Sequence, residues 1–373
     1  MHIMDEPSSA EGEIENKFDD ENQGFKTINP TDGNRHPPPI LTESGWLIPK
    51  PIGNRLWQKS AIGMQIEEGI IVQPSELVFC HKHRSISLPD ENWIPFELGN
   101  NPDLLHEIKA LNEIRKSGEI LILMISTELE KKHDAEKETW AVRWNRGEHP
   151  NKYSAVSEMR WIKNNEAIEW KSLLSWVKNV REKDRFAEIM VIDEEFDVTA
   201  YRLDIADPKG EFSEEKRDEI ISTQISMIWK NKISSGTGNW VDIKSENWEL
   251  NQIGVESEGG IWLNNIETDW IQWKLRNNKI DPITYLFDQL IEAGLLLRPG
   301  FKYGCKWRLY SKSIEKQHAP WLLVPESEAP RDWNAACLAA RLSAGVNKKW
   351  ICAINDNNRW DFISLERWTP GRD

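Results

Sequence analysis

The chain has 373 residues, of which 39% are apolar, and this length is typical of two or three domains that each bury a core. It contains no apolar run of about eighteen residues, so no membrane span is expected, and its acidic, polar N-terminus argues against a secretory signal. The four cysteines are widely spaced and form no Cys-x-x-Cys pair, which predicts reduced thiols in a cytoplasmic protein. Most of the 20 tryptophans are expected to pack in cores and interfaces.

The formal net charge of −14 is unevenly distributed along the chain. Residues 298–373 contain 13 Lys and Arg against 8 Asp and Glu, a net charge of +5, whereas the other residues contain 34 against 53, a net charge of −19. A basic end attracts phosphate groups even when the whole protein is acidic. Nucleic-acid binding is therefore compatible with the overall charge and is expected at the C-terminal end.

An internal repeat predicts the architecture. Residues 62–79 (IGMQIEEGIIVQPSELVF) and 253–270 (IGVESEGGIWLNNIETDW) align without a gap, with Gly63 opposite Gly254 and further matches at isoleucine and glutamate positions. Each copy is expected to form a turn, a short strand and the start of a helix.

A helix is predicted next in each copy. In the second copy it begins at Asp281 and Pro282, an N-cap followed by proline at the first helical position, and it ends at Gly294. In the first copy the corresponding helix runs from Asn101 to Gly118. An apolar strand follows each helix.

Both copies then continue with a helical run, at Trp170 and at Trp333, followed by strand, polar turn and strand. The sequence therefore predicts an α/β (α+β) protein made by tandem duplication, in which each copy has a small N-terminal α+β lobe and a C-terminal α/β lobe. The predicted domains are a disordered acidic tail, 1–40; a first copy, 41–205; and a second copy, 206–373, with lobes 206–297 and 298–373.

Three side chains of the second copy suit RNA cleavage without a metal ion: Tyr310, His318 and Lys348. Attack of a ribose 2′-OH on the neighbouring phosphate needs a group that takes a proton, a group that gives one and a fixed cation. The first copy lacks this set, because the aligned residues are Trp144, Ser154 and Arg185.

The order and context of these residues match a known family. A Lys302-Tyr303-Gly304 turn is followed by a strand that ends in Tyr310, by His318 before an apolar strand at 321–324, and by a helix end from Arg341 to Lys348. This segment resembles the catalytic repeat of the archaeal tRNA-splicing endonucleases, and a degenerate copy followed by an intact one resembles their two-repeat homodimeric form.

The resemblance implies a role for each residue. Tyr310 would act as general base on the 2′-OH or would orient it, His318 would act as general acid toward the 5′-oxygen, and Lys348 would stabilise the transition state. Tyr303 and Lys349 are the neighbouring alternatives. The resemblance also implies metal-independent cleavage without a cofactor, giving 2′,3′-cyclic phosphate and 5′-hydroxyl ends.

The implied substrate is intron-containing pre-tRNA with a bulge-helix-bulge motif. Arg341 and Arg367 match two family arginines that sandwich an extruded base of the bulge, a role that suits planar guanidinium groups. The alternative for both arginines is an ordinary surface salt bridge.

An acidic turn in the first copy contains Asp193, Glu194, Glu195 and Asp197, whereas the matching turn at 355–358 is nearly neutral. In the family such a turn inserts into a basic pocket of the partner chain, so the resemblance implies a homodimer. The alternative is a solvated hairpin turn.

Two other classes of function stay open, a structural subunit that needs a separate catalytic chain and a non-catalytic RNA-binding module. The segment Cys80-His81-Lys82-His83 is a weak metal candidate, because no second pair of ligands accompanies it. Exposed polar residues near a helix end are the favoured interpretation, and no metal site is expected.

Overall fold

The protein is represented by a computed structural model that describes residues 36–213, 216–226, 229–276, 280–315, 317–356 and 359–372. Most of the predicted tail, residues 1–35, lies outside the described residues. The last part of that tail was wrongly placed, because the backbone of His36 already bonds to Ser85 and Ser87 and a strand begins at Ile40. Among the described helices, none has the length and apolar character needed to cross a membrane.

The first half of the protein, residues 36–206, contains nine strands and six helices within its described range. The strands are Ile40–Thr42 (β1), Gly45–Pro49 (β2), Met64–Gln65 (β3), Gly69–Val72 (β4), Ile120–Leu123 (β5), Ala141–Trp144 (β6), Ser157–Lys163 (β7), Phe186–Ile192 (β8) and Val198–Ala206 (β9). The helices are Ile52–Ser60 (α1), Pro74–Arg84 (α2), Trp93–Asn100 (α3), Leu104–Lys116 (α4), Thr127–His133 (α5) and Trp170–Glu182 (α6).

The second half, residues 207–372, has the same kinds of element in its described part. The strands are Ile233–Ser235 (β10), Gly238–Val241 (β11), Val255–Ser257 (β12), Gly260–Asn264 (β13), Leu296–Pro299 (β14), Trp307–Tyr310 (β15), Trp321–Pro325 (β16), Lys349–Asp356 (β17) and Arg359–Trp368 (β18). The helices are Arg217–Ile220 (α7), which continues as a π-helical turn at Ile221–Ile225, then Asn265–Arg276 (α8), Pro282–Glu292 (α9) and Trp333–Gly345 (α10).

Each half has a small four-stranded sheet, and the two sheets share one strand order, β1-β2-β4-β3 and β10-β11-β13-β12. Glu76 Oε1 accepts a hydrogen bond from Gly63 N at 3.0 Å, and Glu267 Oε1 accepts one from Gly254 N at 3.2 Å. The second oxygen of each carboxylate accepts from the backbone N–H three residues upstream, at 3.1 and 3.0 Å. Both glycines have positive φ angles, 73° and 79°, which glycine adopts without strain. The predicted turn and helix start are confirmed, although a two-stranded hairpin stands where one short strand was expected.

The remaining strands form one sheet of ten, in the order β14-β15-β16-β17-β18-β9-β8-β7-β6-β5. The two halves therefore run outward in the same order from the central antiparallel pair β9 and β18. In each half one pair of strands is parallel, β7 with β8 and β16 with β17, and the other pairs are antiparallel. Helices α6 and α10 pack together on one face, and α4 and α9 pack on the other.

Local signals explain why these elements start and end where they do. The Asp281 side chain accepts hydrogen bonds from the backbone N–H groups of Ile283 and Thr284, so the predicted cap of α9 is confirmed. Gly294 follows the helix with a φ of 76°. Most tryptophans are buried, as expected from the composition. The four cysteines are unpaired, with two buried and two half-buried.

Strand register relates the two halves residue by residue. Trp144 pairs with Ile120 in the first half, and Tyr310 pairs with Leu296 in the second. The registers of β7 with β8 and of β16 with β17 extend the same correspondence along the chain. The further positions that correspond are Ser154 with His318, and Arg185 with Lys348.

Candidate active site

Tyr310 lies at the end of β15, near one edge of the large sheet. Because side chains alternate along a strand, Trp307 and Leu309 enter the core beneath the sheet, whereas Arg308 and Tyr310 share the opposite face. The Tyr310 ring is only 5% exposed and packs against Ala319 in a small apolar cluster. The position of this ring is therefore fixed by packing.

Lys348 lies between α10 and β17. Its Nζ donates a hydrogen bond to the carbonyl oxygen of Ala319 at 2.7 Å. The backbone beside it is tied to the same loop, because Lys349 N donates to Pro320 O at 2.9 Å. Partial burial lowers the pKa of Lys348, and the positive charge of Arg308 lowers it further.

His318 immediately precedes Ala319, the residue that contacts both Tyr310 and Lys348. Its side chain is exposed, and within the described part of the chain it makes no hydrogen bond or ion pair. Tyr310 and Lys348 therefore both contact Ala319, and His318 is the residue before it in the chain, with its side chain exposed to solvent. The catalytic role of each of the three residues stays a prediction.

Arg308 is a site residue that the sequence reasoning missed. Its Nη1 donates to the Tyr310 hydroxyl oxygen at 3.0 Å, and its Nε donates to the carbonyl oxygen of Pro299 at 3.1 Å. The cation that contacts the Tyr310 hydroxyl is therefore Arg308. The only signal in the sequence was its position two residues before Tyr310 on a predicted strand.

The two neighbouring alternatives have distinct surroundings. The Tyr303 ring is 39% exposed and lies 5.9 Å from both the Arg308 guanidinium and Lys348 Nζ. Lys349 pairs instead with Glu366 at 2.7 Å. Of the two adjacent lysines, Lys348 is therefore the one that lies beside Tyr303 and contacts Ala319, the residue against which Tyr310 packs.

Arg341 on α10 and Arg367 on β18 are both exposed. Arg367 pairs in register with Tyr201 of the first half, and the charges of both arginines act on the Tyr201 hydroxyl. Burial raises the pKa of Tyr201, and the two arginine charges partly oppose that shift. Both predicted arginines therefore influence one tyrosine on β9, the strand that pairs with β18.

At the corresponding positions of the first half, the side chains are engaged in hydrogen bonds and an ion pair within the protein. Arg185 Nη1 binds the buried carboxylate of Glu158 at 2.9 Å, and its Nη2 donates to the carbonyl oxygen of His133 at 2.9 Å. The indole of Trp144 donates to the carbonyl oxygen of Tyr153 at 3.0 Å. The cation of this half is therefore paired with a carboxylate, whereas Lys348 donates to a carbonyl oxygen and lies 5.9 Å from the Tyr303 ring.

The acidic turn between β8 and β9 is shaped by one of its own carboxylates. Asp193 Oδ1 accepts from the backbone N–H groups of Glu195 and Asp197, at 2.9 and 2.8 Å. The carboxylates of Glu194, Glu195 and Asp197 are exposed. Asp193 is therefore part of the turn, and three carboxylates remain on its surface. Two residues of the corresponding turn in the second half, 357 and 358, lie outside the described residues.

The weak metal candidate on α2 has other roles. Cys80 is fully buried, and burial raises the pKa of its thiol to about 12. His81 Nδ1 is hydrogen-bonded to the carbonyl oxygen of Ile86 at 2.9 Å. Across the described residues, no three His, Cys, Asp or Glu side chains lie close enough together to hold a metal ion. Cys80 is therefore not one of the exposed polar residues expected at this helix end.

Comparison with known proteins shows which family this part of the chain is similar to. Residues 281–360 match the family model described as tRNA intron endonuclease, catalytic C-terminal domain. This match agrees with the resemblance to the archaeal tRNA-splicing endonucleases that the sequence motifs indicated. The matched range includes Tyr310, His318 and Lys348, whereas Arg367 lies beyond it.

Several curated archaeal tRNA-splicing endonucleases are similar in sequence to this chain. The protein from Picrophilus torridus is 23% identical over 215 residues, which cover 57% of this chain and 64% of the relative. The protein from Methanosarcina barkeri is 25% identical over 246 residues, covering 60% and 70%. The protein from Thermococcus kodakarensis is 30% identical over 89 residues, covering 23% and 51%. The chain thus spans slightly less than two thirds of the Picrophilus relative.

Proposed function

We propose that this protein is a tRNA-splicing endonuclease that removes introns from pre-tRNA. The observation that carries the proposal is that Tyr310 and Lys348 both contact Ala319, the residue that directly follows His318. The family match over 281–360 and the archaeal relatives support the substrate class. We place the enzyme in the cytoplasm, where its four unpaired thiols stay reduced.

The proposed reaction is attack of the ribose 2′-OH on the adjacent phosphate at a bulge-helix-bulge splice site. Tyr310 takes or orients the hydroxyl proton, and His318 gives a proton to the 5′-oxygen that leaves. Lys348 stabilises the negative charge on the phosphate in the transition state. The products are a 2′,3′-cyclic phosphate and a 5′-hydroxyl, and these residues perform each step without a metal ion.

We further propose that the chain is a tandem duplication whose first copy, 41–205, is structural and whose second copy, 206–373, is catalytic. The shared order of the small sheets and the matching hydrogen bonds of Glu76 and Glu267 support the duplication. The neutralised Arg185 supports the structural role of the first copy. Two chains then form a homodimer through the acidic turn, with Arg341 and Arg367 holding the bulge.

The proposal is tested with purified protein and an intron-containing pre-tRNA in excess EDTA. We expect cleavage at both splice sites, with fragments whose masses correspond to a cyclic phosphate and a 5′-hydroxyl. Lys348→Ala should bind the RNA but cleave it far more slowly. A wild-type chain that binds without cleaving would be a structural subunit or an RNA-binding module, and cleavage that stops in EDTA would contradict the metal-free reaction.

A further inference from the structure

The Arg308 guanidinium is held at two points beside the proposed catalytic tyrosine. Nε donates to Pro299 O on the adjacent strand, and Nη1 donates to the Tyr310 hydroxyl at 3.0 Å. Cζ also lies 5.7 Å from the centre of the Tyr310 ring and 5.9 Å from that of Tyr303. Since a guanidinium is planar and remains charged, these contacts fix one donor against the phenol oxygen.

We propose that Arg308 is a positioning residue for the cleavage reaction, acting through the hydroxyl of Tyr310. This inference rests on the proposed function. The phenol accepts a hydrogen bond from Arg308, so the rotation of its O–H is restricted and its hydrogen is directed away from the guanidinium. The oxygen then meets the 2′-OH in one orientation rather than several.

Charge gives Arg308 a second effect at the same atom. A phenol that takes a proton from the 2′-OH must first carry negative charge, and it does so here in a nearly buried position. A fixed cation in hydrogen-bond contact offsets the cost of that charge. A neutral side chain at position 308 would not offset the cost of that negative charge. Lysine would supply the positive charge but not the planar set of N–H donors of a guanidinium.

The geometry separates Arg308 from nearby basic residues. Lys306, two residues earlier, pairs with Glu328 at 2.6 Å, and Lys312, two residues after Tyr310, pairs with Glu211 at 2.8 Å. Arg298, directly opposite Arg308 on β14, lies 3.7 Å from Glu267. Among the described residues, Arg308 is the cation bonded to the tyrosine hydroxyl.

The test is a double-mutant cycle measured by single-turnover cleavage, with RNA affinity measured on a substrate carrying a 2′-deoxyribose at the cleavage site. Arg308→Met should slow cleavage by about 10²-fold and change Kd by less than about threefold. Arg308→Lys should recover part of the rate. The matched control Lys306→Met removes one positive charge from the same segment and should cleave at the wild-type rate.

The decisive comparison is with Tyr310→Phe. If Arg308 acts through the hydroxyl, then the double variant Arg308→Met/Tyr310→Phe is about as slow as Tyr310→Phe alone. Independent, multiplying losses would overturn the inference, as would an unchanged rate in Arg308→Met or a loss confined to Kd. If circular dichroism shows that Arg308→Met does not fold, Arg308→Lys replaces it in the double-mutant cycle. A wild-type chain that does not cleave would overturn the proposed function and this inference together, whereas an active wild type with an active Arg308→Met overturns only this inference.

Discussion

Arg185 and Lys348 occupy matching positions in the two halves, but their partners differ. Arg185 directly precedes β8 and Lys348 directly precedes β17, and each of these is the second strand of the parallel pair in its half. Arg185 binds the fully buried carboxylate of Glu158, whereas Lys348 binds a backbone carbonyl oxygen. A carboxylate partner offsets most of the attraction between a cation and an anionic ligand, whereas a neutral carbonyl partner leaves most of that attraction in place. This difference explains why we assign the chemistry to the second half.

The lowered pKa of Lys348 predicts an early loss of activity at alkaline pH. Burial and the charge of Arg308 favour the neutral amine, so this lysine loses its proton below the ordinary value of about 10.4. Lys348→Arg stays charged throughout that range. In single-turnover pH–rate profiles, the alkaline decline of the wild type should therefore move to higher pH in Lys348→Arg. If the wild type and Lys348→Arg lose activity at the same alkaline pH, then the titration of Lys348 does not cause the decline.

Arg341 is expected to contribute to RNA binding rather than to folding. Arg341→Ala should weaken binding of a bulged RNA by about 1–3 kcal/mol, since one stacked base contact is lost. The melting temperature should hardly change, because the side chain is exposed. Arg359→Ala is the control, since that arginine is exposed on the same strand as Arg367 and lies near Asp361. Equal affinities of the Arg341 variant and wild type for the bulged RNA would remove this assignment.

The first half should be sensitive to the loss of a buried ion-pair cluster. Arg143 is fully buried and binds Glu119 at 2.7 Å and Glu188 at 2.9 Å. Arg143→Met leaves two buried carboxylates without this partner, which should lower the free energy of unfolding by about 3–5 kcal/mol. Urea unfolding measures the change, and the exposed Lys152→Met serves as control. A variant as stable as wild type would mean that the cluster contributes no net stability.

The acidic turn is expected to hold two chains together. Glu194 and Glu195 are exposed and adjacent in the turn, whereas Asp193 stabilises the turn itself. Replacing Glu194 and Glu195 with Lys should therefore give monomers with reduced activity and leave the turn folded. The control replaces Glu67 and Glu68, another exposed adjacent pair, with Lys. Sedimentation of a monomeric wild type, or of a turn variant that stays dimeric, would rule out this interface.

Local signals predicted much of the fold and part of the site. The N-cap at Asp281 and the matching glycines were readable because each depends on residues close in sequence. The pairing of Arg308 with the Tyr310 hydroxyl was not readable, since strand periodicity gives the face of a side chain but not its hydrogen-bond partner. Tyr201 was missed for a different reason, because its position beside Arg367 depends on pairing between strands far apart in the chain.

The most direct test of the account compares His318→Ala with Ser154→Ala, the substitution at the matching position of the first half. Single-turnover cleavage of a bulge-helix-bulge RNA should slow by roughly 10²–10⁴-fold in His318→Ala, with nearly unchanged affinity, because a general acid is lost. Ser154→Ala should cleave at the wild-type rate. A His318→Ala variant that cleaves normally, or equal losses in the two variants, would contradict the assignment of catalysis to the second half.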